Sequence, residues 1–238
     1  MSFLWHMHQP WYGEPQSGRM AMPWVRLHAL KDYLDMIAAA EAHPAAHLGF
    51  NLVPSLLLQL QLYVDGQTTD RAAECARRPA ADLSQEEQLW LLDNGFKCHW
   101  PRWVDPVPRF RELLEKRGRT PSSLERARQR YTPQDYRDLQ VWSHLAWCGY
   151  ELRTHHPLVR ELLAKGTGYS EDEKSALLDA LDAVLPTILP RYLAAARQGH
   201  VELTTTPFYH PILPLLCHYP DARAAMPGCR LPRNATDL

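Results

Sequence analysis

Little in this chain points to a disulfide-locked, membrane-spanning or phosphate-handling protein. Its five cysteines (Cys75, Cys98, Cys148, Cys217 and Cys229) are odd in number and contain no CxxC pair. Neither a disulfide framework nor a zinc ribbon is therefore expected, and reduced thiols in a cytoplasmic protein are the natural reading. No apolar run approaches the ~18 residues that a membrane span needs. The opening run Phe3-Leu4-Trp5 lacks the basic leader and small-residue cleavage site of a secretory signal. The phosphate loops GxGxxG and GxxxxGKS or GxxxxGKT are missing, as is the GxSxG nucleophile elbow. An excess of one charge is missing too: 26 Lys+Arg against 27 Asp+Glu leave a net charge of -1. That argues against nucleic acid or an anionic membrane as the partner. The densest basic run, Arg126-Ala127-Arg128-Gln129-Arg130, reads as a solvated helix face. No internal repeat or low-complexity segment breaks the chain.

Proline, tryptophan and tyrosine are abundant, at 20, 8 and 10 among 238 residues. Indoles and phenols stack on sugar rings, and they fill cores equally well, so placement decides. Three short segments read as buried strands bounded by Pro or Gly: Ser2 to His8, His47 to Leu52 and His200 to Thr206. Each ends in polar residues, as parallel strands do when their carboxyl ends open onto a site. Helical periodicity covers Trp24 to Ala42, and a second helix starts at Pro54-Ser55 and runs to Tyr63. Capping-box signatures begin at Ser84, Ser122 and Ser170, and Thr132-Pro133 places Pro at a first helical position. Leu139, Trp142, Ala146 and Tyr150 form a stripe read chiefly as core.

Spacing organises these elements. The first two strands are about 40 residues apart, room for one crossover helix and extra loop. The second and third are about 150 residues apart, far more than a βαβ crossover needs. The expected class is α/β: residues 1–60 as two βα units, 61–198 as a mostly helical insertion over the carboxyl ends of the strands, and 199–238 as a third strand with its following turn. Three strands cannot close a barrel, and the aperiodic stretch from Asp221 to Leu238 suggests a chain cut short. Such a sheet exposes an edge strand, from which self-association is expected; the oligomeric state itself is not legible.

The chemistry concentrates in two places. His6 and His8 stand two apart in a strand ended by Gln9-Pro10, so both point to one side where the strand runs out. One buried and one exposed imidazole is the plain alternative. Glu202 lies inside an apolar strand, Val201-Glu202-Leu203, where a carboxylate needs a partner; a structural Glu is the competing reading. Beyond it, Thr204-Thr205-Thr206-Pro207-Phe208-Tyr209-His210 supplies hydroxyls, aromatic faces and an imidazole suited to a polyhydroxylated ligand. The strand carrying Glu202 and His210 is expected beside the His-x-His strand. Together His6, His8 and either His210 or Glu202 also have the makings of a three-ligand zinc shell. Glu14 reads as solvated loop, and Asp32 and Asp35 as surface positions on an amphipathic helix.

Five segments taken in order resemble glycoside hydrolase family 57. They are His6-Met7-His8-Gln9-Pro10, Met22-Pro23-Trp24-Val25-Arg26-Leu27-His28-Ala29, Asn51-Leu52-Val53-Pro54-Ser55, Asp138-Leu139-Gln140-Val141-Trp142, and Glu202-Leu203-Thr204 on to Pro214-Leu215. The resemblance spans nearly the whole chain. It implies a partial (β/α)7-type barrel and a retaining α-amylase or glucanotransferase-like activity on α-glucans or oligosaccharides, without metal or other cofactor. It also implies that His6, His8, Gln9, Glu202 and His210 bind substrate, with Gln9 fixing the loop, and that Trp24 and His28 join Trp5, Trp11 and Tyr12 at the rim. Retaining hydrolysis uses two carboxyl groups about 5–5.5 Å apart. The family's nucleophilic Glu and acid/base Asp belong to later strands, so this chain is expected to lack both and to be inactive alone. The other readings are a non-catalytic glycan-binding protein and a metal-dependent deacetylase or mannosidase-like barrel enzyme.

Overall fold

The computed structural model describes residues 3–120 and 123–231. Ser2, Ser122 and the stretch from 232 onward lie outside the described residues. Three strands, β1 (Phe3–Met7), β2 (Leu48–Leu52) and β3 (Val201–Thr204), form one parallel sheet in the order β1-β2-β3. After β1 come α1 (Trp24–His28), a π turn (Ala29–Tyr33) and α2 (Leu34–Ala42); after β2 comes α3 (Pro54–Val64). Then α4 (Arg71–Arg77), α5 (Gln85–Asn94), α6 (Trp100–Trp103), α7 (Pro108–Arg117), α8 (Leu124–Arg128), α9 (Pro133–Leu145), α10 (Tyr150–His155), α11 (Pro157–Lys165) and α12 (Glu171–Arg197) precede β3. Two short helices, α13 (Leu213–Cys217) and α14 (Ala222–Ala225), follow it. The class is mixed α/β and mostly helical, and three parallel strands backed by helices are compatible with a partial barrel.

Parity sorts the sheet into two faces. The register places Trp5 beside Phe50 and Leu203, and His6 beside Asn51 and Thr204. Phe50 meets Tyr192 of α12 edge-on at 5.0 Å, and Val201 is buried with it; this is the helix-covered face. Glu202, Asn51, Thr204 and His6 share the opposite, open face. The expectation of three buried strands holds only for β2. Phe3, Leu4 and Trp5 are 52%, 67% and 49% exposed, because β1 is an edge. Trp5 therefore belongs neither to the core nor to the face that carries His6. Glu202 is exposed rather than buried, since only its neighbours Val201 and Leu203 point toward α12. Nor does β3 lie beside β1: β2 separates them.

Local signals explain most helix starts. Capping boxes form at Ser84–Glu87, Thr132–Asp135 and Ser170–Glu173, while α8 is capped by Ser123, whose hydroxyl accepts from the Arg126 backbone N–H. In the basic run, Arg126 and Arg130 are exposed and Arg128 pairs with Glu125. Leu139, Trp142 and Ala146 are buried, but Tyr150 is not on their stripe. The α9 helix ends at Leu145, and Tyr150 opens α10, 72% exposed. The polar members of Asp138-Leu139-Gln140-Val141-Trp142 hold the helical stretch together. Asp138 accepts from Arg109 at 2.7 Å and from the Tyr169 backbone at 3.1 Å. Gln140 donates to the carbonyls of Cys75 and Arg78 and accepts from Lys174.

Two contacts fix the helix that follows β1. Arg26 of α1 forms a buried two-pronged ion pair with Asp70, which also accepts from Tyr63 and caps α4 through the Ala73 backbone. The π turn is held from the other side. Asp35, expected at the surface, accepts the backbone N–H groups of Tyr150 and Glu151 and so caps α10. Asp32 instead bonds His28. The close approach requires Gly149: a Cβ there would lie 2.5 Å from the Asp35 carboxylate and from the Lys31 carbonyl oxygen. Gly149→Ala should therefore lower stability by about 2–3 kcal/mol, read as a shifted urea midpoint at unchanged slope. A wild-type midpoint would show that the π turn tolerates displacement.

Candidate functional site

The site grows from the carboxyl ends of β1 and β2. His6, the penultimate residue of β1, bonds through Nδ1 to the Asn51 side-chain oxygen at 2.8 Å. Asn51 in turn donates through Nδ2 to Thr204 Oγ1 at 3.0 Å, so one buried amide ties the open faces of all three strands. His8 continues the same side, with its ring 5.8 Å from that of His6. His210 completes the group. It sits six residues beyond β3, in a tight turn closed by its own N–H to the Pro207 carbonyl, and adopts a left-handed φ of 55°. The preceding segment crosses the top of β2, where the Phe208 carbonyl accepts from the Ser55 backbone and Thr205 Oγ1 donates to the Leu52 carbonyl. This path brings the His210 ring to 4.3 Å from His6 and 5.4 Å from His8. The turn, not strand adjacency, makes the contact.

Gln9 turns away from this surface. It is buried, donating to the Tyr33 hydroxyl and accepting from the Tyr12 hydroxyl, each at 3.0 Å. Desolvation holds the Tyr33 phenol up at about 12, so it stays neutral. The backbone on either side is held by α3: Ser55 donates to the Gln9 carbonyl and Gln59 to the Pro10 carbonyl, while Gln59 accepts the Tyr12 N–H. Neither Ser55 nor Gln59 is among the site residues expected from the sequence. The available signal was their four-residue spacing, which puts two polar side chains on one face of an otherwise apolar helix.

Aromatic side chains gather around α1. Trp24 lies 5.5 Å from Trp147 and 6.4 Å from His28, and His28 meets Trp147 edge-on at 5.2 Å. Lys31 stands over the Trp147 ring at 5.0 Å, and Arg153 over Trp103 at 4.0 Å. Trp147, just past α9, and Trp103 of α6 are additions that only their contacts with Trp24, His28 and Lys31 reveal. Trp11 is half exposed and faces Phe208 at 6.5 Å. Glu202 lies on the open face next to Gly49, which carries no side chain to cover it. Glu14 is in solvent, accepting from Ser17.

The group offers three imidazole rings for hydrogen bonding. His8 is held below the ordinary imidazole value, first by desolvation and then by repulsion from His210 and His6. Among the described residues, no three His, Cys, Asp or Glu side chains are arranged to hold a metal ion. No helix among them is long and apolar enough to cross a membrane. All five cysteines are free thiols. A further imidazole, His144 on α9, is buried behind Trp24 and Trp147, where desolvation pushes it down to about 4.

The profile of the family described as Glycosyl hydrolase family 57 matches residues 2–228. No curated protein and no solved structure matches the chain.

The lowered values of His8 and His144 fix a sign. Both rings stay neutral in the folded chain at pH values where they protonate in the unfolded one, so their contribution is complete above about pH 6.5 and is lost as pH falls. Urea midpoints should drop steadily between pH 6.5 and about 4, and His144→Leu should flatten much of that decline. A midpoint independent of pH in this window would refute the assignment.

Proposed function

The chain belongs to glycosyl hydrolase family 57, and from that premise we propose that it grips an α-glucan or oligosaccharide on the open face of a partial (β/α)7 barrel. One observation carries the reading: His6, His8 and His210 converge within 6 Å at the carboxyl ends of parallel strands, on the side of the sheet that also exposes Glu202 two register positions further back. Neutral imidazoles donate from one nitrogen and accept at the other, which matches the dual character of sugar hydroxyls. The Asn51 bridge fixes the orientation of His6, and the buried Gln9 holds the turn that presents His8. Trp24 and His28 supply rim surface for the apolar face of a sugar ring, with Trp11 and Tyr12 flanking the turn.

Cleavage with retention needs a carboxyl pair about 5–5.5 Å apart. The three strands bring a single carboxyl group, Glu202, to the open face. In this reading Glu202 accepts hydroxyl hydrogen bonds or orients a catalytic neighbour, and the pair is completed by carboxylates outside these strands. The chain by itself then binds glucan without turning it over. The non-catalytic glycan-binding reading shares this arrangement and makes the same binding prediction for this chain.

Calorimetry with maltotriose tests the proposal. His6→Ala and Glu202→Gln should each weaken binding about tenfold, corresponding to roughly 1.4 kcal/mol, with thermal unfolding unchanged for the exposed Glu202. Wild-type affinity in both variants would remove the sugar wall, and release of reducing ends by this chain alone would remove the claim that its carboxyl pair is incomplete.

A further inference from the structure

We propose that the exposed aromatic rings of Tyr209, Phe208 and Trp11 extend the histidine group into a track for further sugar units of the same α-glucan, so that this face binds a chain of more than three units. The inference rests on the proposed glucan reading and adds to it the length of the substrate. Tyr209 and His210 are consecutive in the tight turn beyond β3 that the His210 N–H closes on the Pro207 carbonyl. The Tyr209 ring lies 4.7 Å from that of Phe208, and Phe208 lies 6.5 Å from Trp11. All three side chains are exposed, Tyr209 at 67%. Single apolar rings on a surface are ordinary, whereas a contiguous set marks a binding face. The row begins beside His210, whose imidazole is 4.3 Å from His6, and ends at the turn after β1.

Three features of the track select a neutral, bent, hydroxylated chain. Successive rings are tilted by 73° and 48° rather than coplanar. Such a row matches a chain that coils, as α-linked glucans do, and not a flat ribbon. Each end of the track carries a free polar tip: among the described residues, neither the Tyr209 hydroxyl nor the Trp11 indole N–H has a hydrogen-bond partner, and both side chains are exposed. Rings with an apolar body and a wet end suit a ligand that is itself part apolar and part polar. Cations are missing as well. No Lys or Arg occurs between Arg197 and Arg223, so a nucleic acid stacked on these rings would find no partner for its phosphates in this segment.

Both ends of the track are anchored. The Trp11 indole lies against the Gly13 backbone, where a Cβ would stand 2.8 Å from the ring, and Gln59 holds the chain on either side of it. With Met20, Leu62 and Gln67 the indole walls a groove of about 370 Å³. A cavity of ~150 Å³ already takes one benzene ring, so a sugar unit has room beside Trp11. At the other end, the Phe208 carbonyl accepts from the Ser55 N–H at the start of α3. A ligand therefore meets rings whose backbone needs no further ordering, which lowers the cost of binding.

The test is calorimetry on the intact chain with maltotriose and maltoheptaose. Wild type should bind the heptaose more tightly than the triose, and that preference should fall about tenfold in Tyr209→Ala and in Trp11→Ala. Gly13→Ala, which displaces the indole while keeping it, should lower the preference too, and Trp11→Leu serves if the smaller side chain disturbs folding. His6→Ala should weaken both ligands and leave the preference intact. Maltotriose binding with no gain for the heptaose, or a gain that survives both aromatic variants, would overturn the track while sparing the histidine wall. Self-association in sedimentation velocity that Tyr209→Ala abolishes, without any heptaose preference, would assign these rings to a second copy of the chain instead. Failure of the wild-type chain to bind either sugar would overturn both readings.

Discussion

The turn after β1 hands its backbone polar groups to two buried side chains of α3, and this constraint shapes everything around it. Its carbonyls at Gln9 and Pro10 and its N–H at Tyr12 are taken up by Ser55 and Gln59, both wholly buried on α3. A buried carbonyl without a donor costs about 1–3 kcal/mol, so α3 cannot slide along the sheet without breaking several bonds together. The Gln9 side chain extends the same network to Tyr33 in the π turn. One polar cluster therefore sets the angle between β1, α3 and the helix after β1, and with it the direction in which His8 points.

From that anchor the candidate site spreads in two directions across different materials. Over the sheet it is built of hydrogen bonds: His6 to Asn51 and Asn51 to Thr204. Toward the helical stretch it is built of rings, with Trp24, His28 and Trp147 meeting at 5–7 Å. The first kind fixes orientation and the second supplies surface. The π turn connects them. It carries Lys31 and Tyr33, and it is clamped by Asp35 and Gly149 against the start of α10. A π turn inside a helix is uncommon and often accompanies function.

Electrostatics disfavours charge on His8, which desolvation and the nearby His210 and His6 rings hold below the ordinary imidazole value. Permanent charges are instead retired into pairs away from the open face, such as Arg26 with Asp70 and Arg109 with Asp138. Removing one partner of such a buried pair is far more damaging than the net worth of the pair. That is a physical reason for these buried charges to persist.

Local order was written plainly in the chain. The strands at 3–7, 48–52 and 201–204, the helix from Trp24 to Ala42, the capping boxes at Ser84 and Ser170 and the helix start at Thr132-Pro133 all follow from short-range chemistry, namely alternation, periodicity and side-chain oxygens that meet backbone N–H groups. The family, too, was legible from short motifs. What those motifs could not tell is which face of each element meets which neighbour. Glu202 reads as buried because its neighbours are apolar, yet an edge position leaves it in water. Tyr150 continues a stripe on paper, but the chain breaks at Gly149. Asp35 looks like surface until α10 arrives to be capped by it. His210 was expected on a strand next to His6, and it reaches His6 only by crossing the end of β2 in a left-handed turn. The sequence by itself determined the elements and the residue types at the site, because these depend on neighbours a few positions away. Tertiary structure alone decided the meeting of His6, His8 and His210 and the approach of Trp11 to Phe208, because those depend on packing between residues more than a hundred positions apart.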